Sequence, residues 1–291
     1  MPTSIQGPMA ALGAVLIWGL TFVPTKLALA EMGPFTLAVL RFSVALAAIL
    51  PIALRGYPRS ATWRKLPLST TAPLGLTGVA LYFGLQNLGL ARTTAAEAGL
   101  ISATVPALTA LLSTVLLREP LGLRRLAGIL ASLTGVALVV LSPAGLAGSR
   151  GSLEGDLMIL GASLAWAVYT LIGKRVAGRV PDTVLLACTM AIGTLLLLPA
   201  AALEPAPVPQ PNASASAWLS VLFLGLGGSA ASFFCWSAAL RRMDASAASI
   251  FINLVPVVTL ISSALLLHES LHPAQLLGGA LVLMGVYLAG R

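Results

Sequence analysis

Charged residues are scarce in this chain of 291 residues: Asp, Glu, Lys and Arg together make up 9% of it, against about 25% in a soluble globular domain. Apolar residues reach 58%, above the usual range of about 45–50%. A water-soluble fold of this composition could not cover its surface with polar groups, and a disordered chain would be poor in apolar residues. The scarcity of charge therefore excludes both classes and indicates a polytopic membrane protein.

Residue types that perform catalysis or bind metals are also few. The chain has 2 His, 2 Cys and 9 Asp and Glu. A membrane-embedded enzyme would need clustered acids, a nucleophile with its base, or a set of metal ligands, and the sequence shows no such grouping. We therefore expect no enzymatic activity, no cofactor and no metal site. Cys188 and Cys235 lie in different apolar segments, and we expect two free thiols.

The positions of the cations along the chain explain why they outnumber the acids. With 17 Lys and Arg against 9 acids, the net charge is +8, which in a soluble chain would suggest a nucleic-acid partner. Here 13 of the 17 cations fall in alternate loops and at the C-terminus. By the positive-inside rule these loops are cytoplasmic. We therefore predict a bacterial inner-membrane protein with both termini in the cytoplasm and no nucleic-acid partner.

Ten apolar segments are long enough to cross a bilayer as helices, which takes about 20 residues each. They lack the alternation of apolar and polar residues that is typical of barrel strands. The predicted fold class is therefore an all-α polytopic membrane protein with ten transmembrane helices. The predicted spans are 9–30, 34–54, 72–91, 97–117, 123–142, 156–173, 182–202, 218–239, 245–267 and 273–290.

The second half of the chain repeats the first. At a shift of 150 residues, 16 of 44 aligned positions are identical, including the pairs Pro106 with Pro256 and Glu119 with Glu269. Each half holds five predicted spans, and because five is odd, the second half enters the membrane inverted. Inverted repeats around a site near the midplane are typical of transporters. The predicted units are a first five-helix repeat at 1–143, an outer linker at 144–154 and an inverted repeat at 155–291.

Duplicated motifs carry a resemblance to a known family. The motifs are Trp18-Gly19-x-x-Phe22 and Trp166-Ala167-x-x-Thr170, Pro34 with Arg41, and Pro106…Glu119-x-Leu121…Gly128…Gly135 with its copy. With them the chain resembles the ten-helix EamA-type branch of the drug/metabolite transporter superfamily, most of all its YddG-type exporters of amino acids and related metabolites. The resemblance implies alternating access around a central cavity between spans 1, 3, 4, 6, 8 and 9. Cys188 stands where Arg41 would have its counterpart, so the second half lacks that cation.

Polar and aromatic residues near the middle of the spans are the candidate substrate contacts. Aromatic walls with a few amides suit a mid-sized amphipathic molecule, and the resemblance implies that this substrate is an aromatic or other neutral amino acid. Each residue alone would serve equally well as a contact between helices. With no fixed charge expected near the Trp residues, we predict broad selectivity. The candidates are Trp18, Thr21, Tyr82, Gln86, Asn87, Ser102, Trp166, Tyr169, Trp236 and Asn253.

Prolines are candidate hinges, and ionisable residues are candidates for coupling or for a gating ion pair. Pro24, Pro106 and Pro256 interrupt spans 1, 4 and 9, where proline removes a helical hydrogen bond, and each is either a hinge or a static bend. The candidates for coupling or for a gating ion pair are Lys26, Arg41, Glu97, Glu119 and Glu269.

The positions of the acids along the chain bear on whether transport is coupled to protons. All nine fall in loops or at span ends, whereas a proton-coupled carrier needs a titratable group along its path. We therefore expect an uncoupled facilitator, with Glu97 as the coupling residue if a proton takes part, while the resemblance implies an exporter. The alternatives are a proton-coupled drug/metabolite antiporter, or a nucleotide-sugar or lipid-carrier flippase of the same fold, which would need a cationic cavity. Because both halves of the site lie in one chain, we expect a functional monomer.

Overall fold

The computed structural model is helical, and the residues it describes contain no strand. These residues are 3–57, 68–117, 122–140, 152–176, 178–205, 213–242, 248, 251–252, 254–268 and 273–289. The helices, numbered in chain order, are α1 (Thr3–Leu29), α2 (Pro34–Gly56), α3 (Leu68–Leu90), α4 (Ala95–Ser102), α5 (Val105–Leu117), α6 (Leu123–Val140), α7 (Leu153–Val176), α8 (Asp182–Ala202), α9 (Ala215–Arg242), α10 (Leu254–Leu266) and α11 (Pro273–Ala289).

Seven segments within the described residues are long and apolar enough to cross a membrane. They are α1, α2, α3, α7, α8, α9 and the segment Ala95–Leu112, which joins α4 to the start of α5. Three shorter apolar helices lie at the remaining predicted positions, in α6, α10 and α11. The chain is thus an all-helical, multi-pass membrane protein, while the full set of ten spans and its orientation stay predictions.

The outer faces of the helices are apolar, as lipid requires. Leu195, Leu265 and Leu277 are each more than 60% exposed, whereas the interior encloses charged side chains such as Arg41 and Glu97. In water this distribution would leave apolar surface exposed and charges buried. In a bilayer the exposed Leu side chains contact acyl chains, and the polar groups find partners between the helices.

The predicted prolines differ in their effect on the helices. The predicted span 97–117 is two helices, and α5 begins at Val105 with Pro106 in its first turn, where the missing N–H costs no helical hydrogen bond. Pro256 is the third residue of α10. Pro24 does not end α1, which continues to Leu29. A hinge at any of the three stays a prediction.

Two π-helical segments occupy corresponding places in the two halves. Leu76–Leu81 interrupts α3 and Leu226–Ala231 interrupts α9, at the 150-residue shift that aligns the sequence repeats. A π-helical turn holds an extra residue and is frequent at functional sites. Tyr82 directly follows the first segment and Ser229 lies within the second. Both π-helical turns therefore bring side chains to the centre of the protein.

The helices of the two halves are interleaved. α2 packs along α8, α6 packs along α11, and α1 lies against α9 and α10. The approach of α6 to α11 depends on Gly135, because a Cβ there would lie 2.6 Å from the carbonyl oxygen of Gly278. The long helix α7 contacts α3 and α5. The centre of the molecule is therefore built by helices from both halves.

Candidate functional site

The paired tryptophans of the two halves meet in the centre. Trp18 on α1 and Trp166 on α7 lie edge to face, with ring centroids 5.4 Å apart. Phe233 on α9 packs against both of them, at 6.0 and 5.4 Å. Tyr82 lies 4.8 Å from Trp166. These aromatic contacts fix the rings relative to one another, and Trp18, Tyr82 and Trp166 line a cavity.

The central cavity has a volume of about 40 Å³. That is room for about three water molecules and lies far below the roughly 300–1,000 Å³ of ordinary ligand pockets. A substrate therefore requires the helices that line the cavity to move apart. The lining residues are Trp18, Thr21, Phe22, Arg41, Tyr82, Phe83, Gln86, Ser102, Val105, Trp166, Ile252 and Val255.

Arg41 places a charge in the cavity wall. Its side chain is 1% exposed. Nε donates to Ser229 Oγ at 3.0 Å, and Nη2 donates to the Leu224 carbonyl oxygen at 3.4 Å. The guanidinium carbon lies 4.3 Å from the centre of the Phe83 ring, at cation–π distance. Within the described part of the chain no acidic side chain pairs with Arg41, so the cavity contains a fixed positive charge beside its aromatic rings.

The structure therefore corrects the expectation that the aromatic candidates have no fixed charge near them. Arg41 was predicted as a candidate for coupling or for an ion pair, but its described polar partners are a hydroxyl and a carbonyl group. Its contact with Ser229 spans 188 residues of sequence. No local pattern reveals such a contact.

Six of the ten predicted substrate contacts line the cavity. Within this set the Gln86 amide donates to Tyr82 Oη at 3.1 Å, and the Thr21 hydroxyl donates to the Trp18 carbonyl oxygen at 2.6 Å. The Ser102 hydroxyl donates to the Ala98 carbonyl oxygen. The six residues are Trp18, Thr21, Tyr82, Gln86, Ser102 and Trp166.

The other predicted contacts lie elsewhere. Asn87 is buried and donates to the Pro34 carbonyl oxygen at 2.8 Å, which ties α3 to the start of α2. Tyr169 and Trp236 line a second cavity of about 30 Å³ that also borders Asp182. Asn253 lies outside the described residues, as do Glu119 and Glu269, the symmetric pair of gating candidates.

Sequence reasoning missed several residues of the wall. Phe83 follows Tyr82 directly and could have been found by the same criterion of an aromatic side chain near mid-span. Val105, Ile252 and Val255 are ordinary apolar residues of membrane helices, and nothing in the sequence distinguishes them from lipid-facing neighbours. Their positions follow only from the packing of the helices.

A buried polar cluster lies one helical turn from the cavity, and we refer to its residues Lys26, Thr93, Glu97, Asp156 and Gln275 as the acid network. Glu97 and Asp156 are both 0% exposed. Thr93 Oγ1 lies 2.9 Å from Glu97 Oε2 and 2.6 Å from Asp156 Oδ1. Gln275 Nε2 donates to Glu97 Oε1 at 2.9 Å, and Lys26 Nζ donates to the Thr93 carbonyl oxygen. The network joins α1, α4, α7 and α11.

Both acids of the network stand in the first turn of a helix. Thr94 and Glu97 form a reciprocal capping box at the start of α4, and Asp156 lies in the first turn of α7. Sequence reasoning placed these acids at span ends, which the structure bears out, but burial there was not foreseen, and Asp156 was not among the candidates. Four helices bury the two carboxyl groups.

A different arrangement occupies the opposite end of α7. Asp182 begins α8, directly after the α7–α8 turn, and its Oδ2 lies 3.0 Å from Arg241 Nε at the end of α9. The Arg241 side chain is 38% exposed. Since α7 runs from Leu153 to Val176 and Asp156 is its fourth residue, about 30 Å of helix separates this ion pair from the acid network. The cavity lies between them.

Comparison with known proteins decides the family. The sequence profile of the EamA-like transporter family matches residues 5–141 and, a second time, residues 153–291. The chain belongs to the EamA-like transporter family. It is a transporter of the drug/metabolite superfamily, and the resemblance drawn from its duplicated motifs is confirmed.

The chain is similar over nearly its whole length to proteins that are named as transporters. The "Probable amino-acid metabolite efflux pump" of Salmonella typhimurium is 31% identical over 290 residues, which cover 96% of this chain and 92% of that protein. The "Probable terminal-alkyne amino-acid exporter" of Streptantibioticus cattleyicolor is 30% identical over 95% of this chain and 91% of its own length. One crystal structure is similar with a TM-score of 0.69 and 26% identity, over 97% of this chain and 96% of that chain.

Proposed function

We propose that this EamA-family protein exports amino acids, aromatic and other neutral ones, together with related small metabolites, across a bacterial inner membrane. Two relatives of about 30% identity are named as an exporter and an efflux pump of amino acids or their metabolites. The names of the relatives are those of transporters, which fits a protein without enzymatic activity. The proposed partners are a small-molecule substrate and the lipid bilayer.

Arg41 in the aromatic cavity is the observation that carries the proposal. A buried guanidinium without an acidic partner in the described residues is a donor set for a carboxylate. The indole faces of Trp18 and Trp166 suit an aromatic side chain or, through cation–π attraction, an ammonium group. The cavity wall thus offers Arg41 to the carboxylate of an amino acid, and the indole rings to its aromatic side chain or its ammonium group.

The number of cations that line the cavity argues against a flippase of nucleotide sugars or lipid carriers. A diphosphate carries more than one negative charge and calls for several cations. Of the described residues, Arg41 alone lines the cavity with a cation, while Lys26 is directed to the Thr93 carbonyl oxygen. A single guanidinium matches the single charge of a carboxylate.

We propose further that the protein works by alternating access as ten helices in two inverted repeats, with both termini in the cytoplasm. Support comes from the two family matches, the paired π-helical segments and the three shorter apolar helices at predicted positions. The small cavity then belongs to a contracted state in which neither side is open. This orientation puts the acid network at the outer face and the Asp182–Arg241 pair at the cytoplasmic face.

We also propose that one chain suffices for transport. The cavity is lined by residues of both halves, such as Trp18 and Trp166, so no second chain is needed to complete it. We expected an uncoupled carrier because all nine acids fall in loops or at span ends, and the burial of Glu97 and Asp156 close to the cavity weakens that reason.

Flux in proteoliposomes tests the substrate. Labelled phenylalanine is loaded, and the competing compounds are other neutral amino acids, phenethylamine, which lacks the carboxylate, and a nucleotide sugar. We expect competition by amino acids and little by the other two. Arg41→Gln should lower phenylalanine flux about 10- to 100-fold, because a charge-assisted hydrogen bond in a buried site is lost.

Matched variants keep this test specific. Arg41→Lys retains the charge but loses the planar fork, so we expect partial activity. Arg92→Gln removes a cation that is partly exposed outside the cavity and should leave flux unchanged. Equal competition by phenethylamine, or full activity of a folded Arg41→Gln variant, would contradict the proposal.

A further inference from the structure

Thr93 has too few hydrogens for the contacts that it makes. Its hydroxyl carries one hydrogen, yet Oγ1 lies 2.9 Å from Glu97 Oε2 and 2.6 Å from Asp156 Oδ1. The hydroxyl can donate to one of these oxygens only. The second contact is a hydrogen bond only if the other carboxyl group supplies a hydrogen, so the geometry calls for one proton on the pair of acids.

The hydrogen-bond partners indicate which acid is protonated. Glu97 accepts hydrogen bonds from Gln275 Nε2 at 2.9 Å, from Thr94 Oγ1 at 3.1 Å and from Thr94 N at 3.4 Å, as suits a carboxylate. Asp156 Oδ2 is buried and has no hydrogen-bond partner among the described residues. A buried carboxylate oxygen without a donor is costly, whereas the carbonyl oxygen of a neutral acid costs less. Asp156 is therefore the acid and Glu97 the carboxylate.

The charged residues near Glu97 and Asp156 also bear on the number of protons that these two acids hold. Lys26 on α1 donates to the Thr93 carbonyl oxygen. Arg92, after α3, lies 3.5 Å from Glu154 on α7, and these two exposed side chains offset each other. Gln275 from α11 is neutral. With one proton bound, the pair carries a single negative charge, and loss of that proton places a second negative charge beside the first in a buried site.

We propose that Glu97 and Asp156 form a proton-binding site whose occupancy closes this end of the transporter. The site joins α1 and α4 of the first half to α7 and α11 of the second half. Loss of the proton sets two carboxylates against each other, and the repulsion is relieved when water enters and the helices separate. The cavity lies about one helical turn away, since Phe22 lines it and Lys26 follows four residues later. Transport is then coupled to the ionisation of this pair.

Infrared spectroscopy of the purified full-length protein tests the proton directly. Ordinary carboxyl groups, with a pKa of about 4, are largely ionised at about pH 5.5. We therefore expect the carbonyl absorption of one buried protonated carboxyl group at about pH 5.5, and this absorption should disappear as the pH is raised. Asp156→Asn should abolish this band. The control is Glu154→Gln, which alters an exposed acid two residues away on the same helix and should leave the band unchanged.

Two results would overturn the proposal at this stage. One is wild-type protein without a buried protonated carboxyl band at about pH 5.5, and the other is a band that survives in Asp156→Asn. If Asp156→Asn fails to fold, Thr93→Val serves instead, since it keeps both acids and removes the bridging hydroxyl. We expect Thr93→Val to shift the pH at which the band disappears, and an unshifted titration would count against the site. These measurements need no substrate, so they stand even if the substrate proposal fails.

Flux then tests the coupling. Closure of each end is a necessary step of alternating access, so wild-type flux should fall about tenfold as the pH is raised through the range in which the band disappears. Asp156→Asn resembles the protonated acid permanently, so this end should stay closed. Its flux should be at least about tenfold below that of the wild type and should vary less than about twofold over the same pH range. A present, titrating band with flux that ignores pH would refute the coupling.

Discussion

The two ends of α7 solve the same electrostatic problem in different ways. At each end an acid stands in the first turn of a helix, Asp156 in α7 and Asp182 in α8. Asp182 is neutralised by Arg241, which reaches it from the end of α9 and is itself 38% exposed. Among the described residues no arginine pairs with Asp156, and the Thr93 hydroxyl, which also contacts Glu97, lies beside it instead. The comparison shows that position along a helix does not determine how a buried acid is compensated.

This difference has a functional meaning. An arginine keeps its charge at any physiological pH, so the Asp182–Arg241 contact is broken by motion or by water but not by titration. The acid network gains and loses its charge balance with a proton. One end of the transporter is then expected to respond to pH, and the other is expected to respond to the movement of the helices.

The largest effect is expected from a charge reversal at the Asp182–Arg241 ion pair. Arg241→Glu would place two carboxylates about 3 Å apart, and we expect transport to fall at least tenfold and the protein to lose about 1–3 kcal/mol of stability. Thermal unfolding in detergent and flux in proteoliposomes measure the two effects. Adding Asp182→Lys restores opposite charges and should recover most of the loss. A double variant as impaired as the single one would contradict a role for the pair.

Loss of a single donor probes the other end. Gln275→Leu leaves Glu97 Oε1 without the amide that lies 2.9 Å away, and a buried acceptor without its donor costs about 1–3 kcal/mol. We expect a lower midpoint of thermal unfolding and a shift of the pH at which the protonated carboxyl band disappears. The neighbouring, half-exposed Leu276 is the control, since Leu276→Ala should change neither quantity appreciably. An unaltered titration in Gln275→Leu would argue against its place in the network.

A smaller effect is expected at the exposed ion pair beside the network. Arg92 and Glu154 lie 3.5 Å apart, with side chains 39% and 65% exposed. Surface ion pairs contribute about 0–1 kcal/mol, so Glu154→Gln should move the unfolding midpoint very little. A large loss of stability would show that the start of α7 is more closely coupled to Arg92 than the structure indicates.

The smallest effect is expected at Glu31, an exposed acid that pairs with no arginine among the described residues. Hydrogen bonds from the side chain and backbone of Ser214 lower the pKa of Glu31. Its contribution to stability is thus present above the pKa of the unfolded chain and is lost as the pH falls through the lower, folded value. Unfolding midpoints of wild type and Glu31→Gln should therefore converge at acidic pH and differ slightly at neutral pH. A difference that grows on acidification would reverse the sign and exclude this account.

Sequence patterns were sufficient for the centre of the molecule but not for its charged contacts. Trp18 and Trp166 could be found because the repeat places the same residue at the same depth in both halves, and the two rings are in contact. Arg41 was predicted only as a candidate for coupling or for an ion pair, because its place beside the aromatic rings depends on contacts with α9, far along the chain. Asp156 resembles any other acid at a span end. Its burial arises from helices that the sequence alone does not bring together.

The partners of Arg41 have a consequence for biosynthesis. Ser229 and the Leu224 carbonyl oxygen belong to the second half, so they do not exist when the ribosome has completed only the first five apolar segments. Until α9 is inserted, a guanidinium destined for the protein interior has neither acceptor and must be tolerated by lipid, water or the insertion machinery. A first half produced as a separate chain should be degraded quickly, and the two halves produced together as separate chains should protect each other. Pulse-chase measurements of their lifetimes would show this dependence.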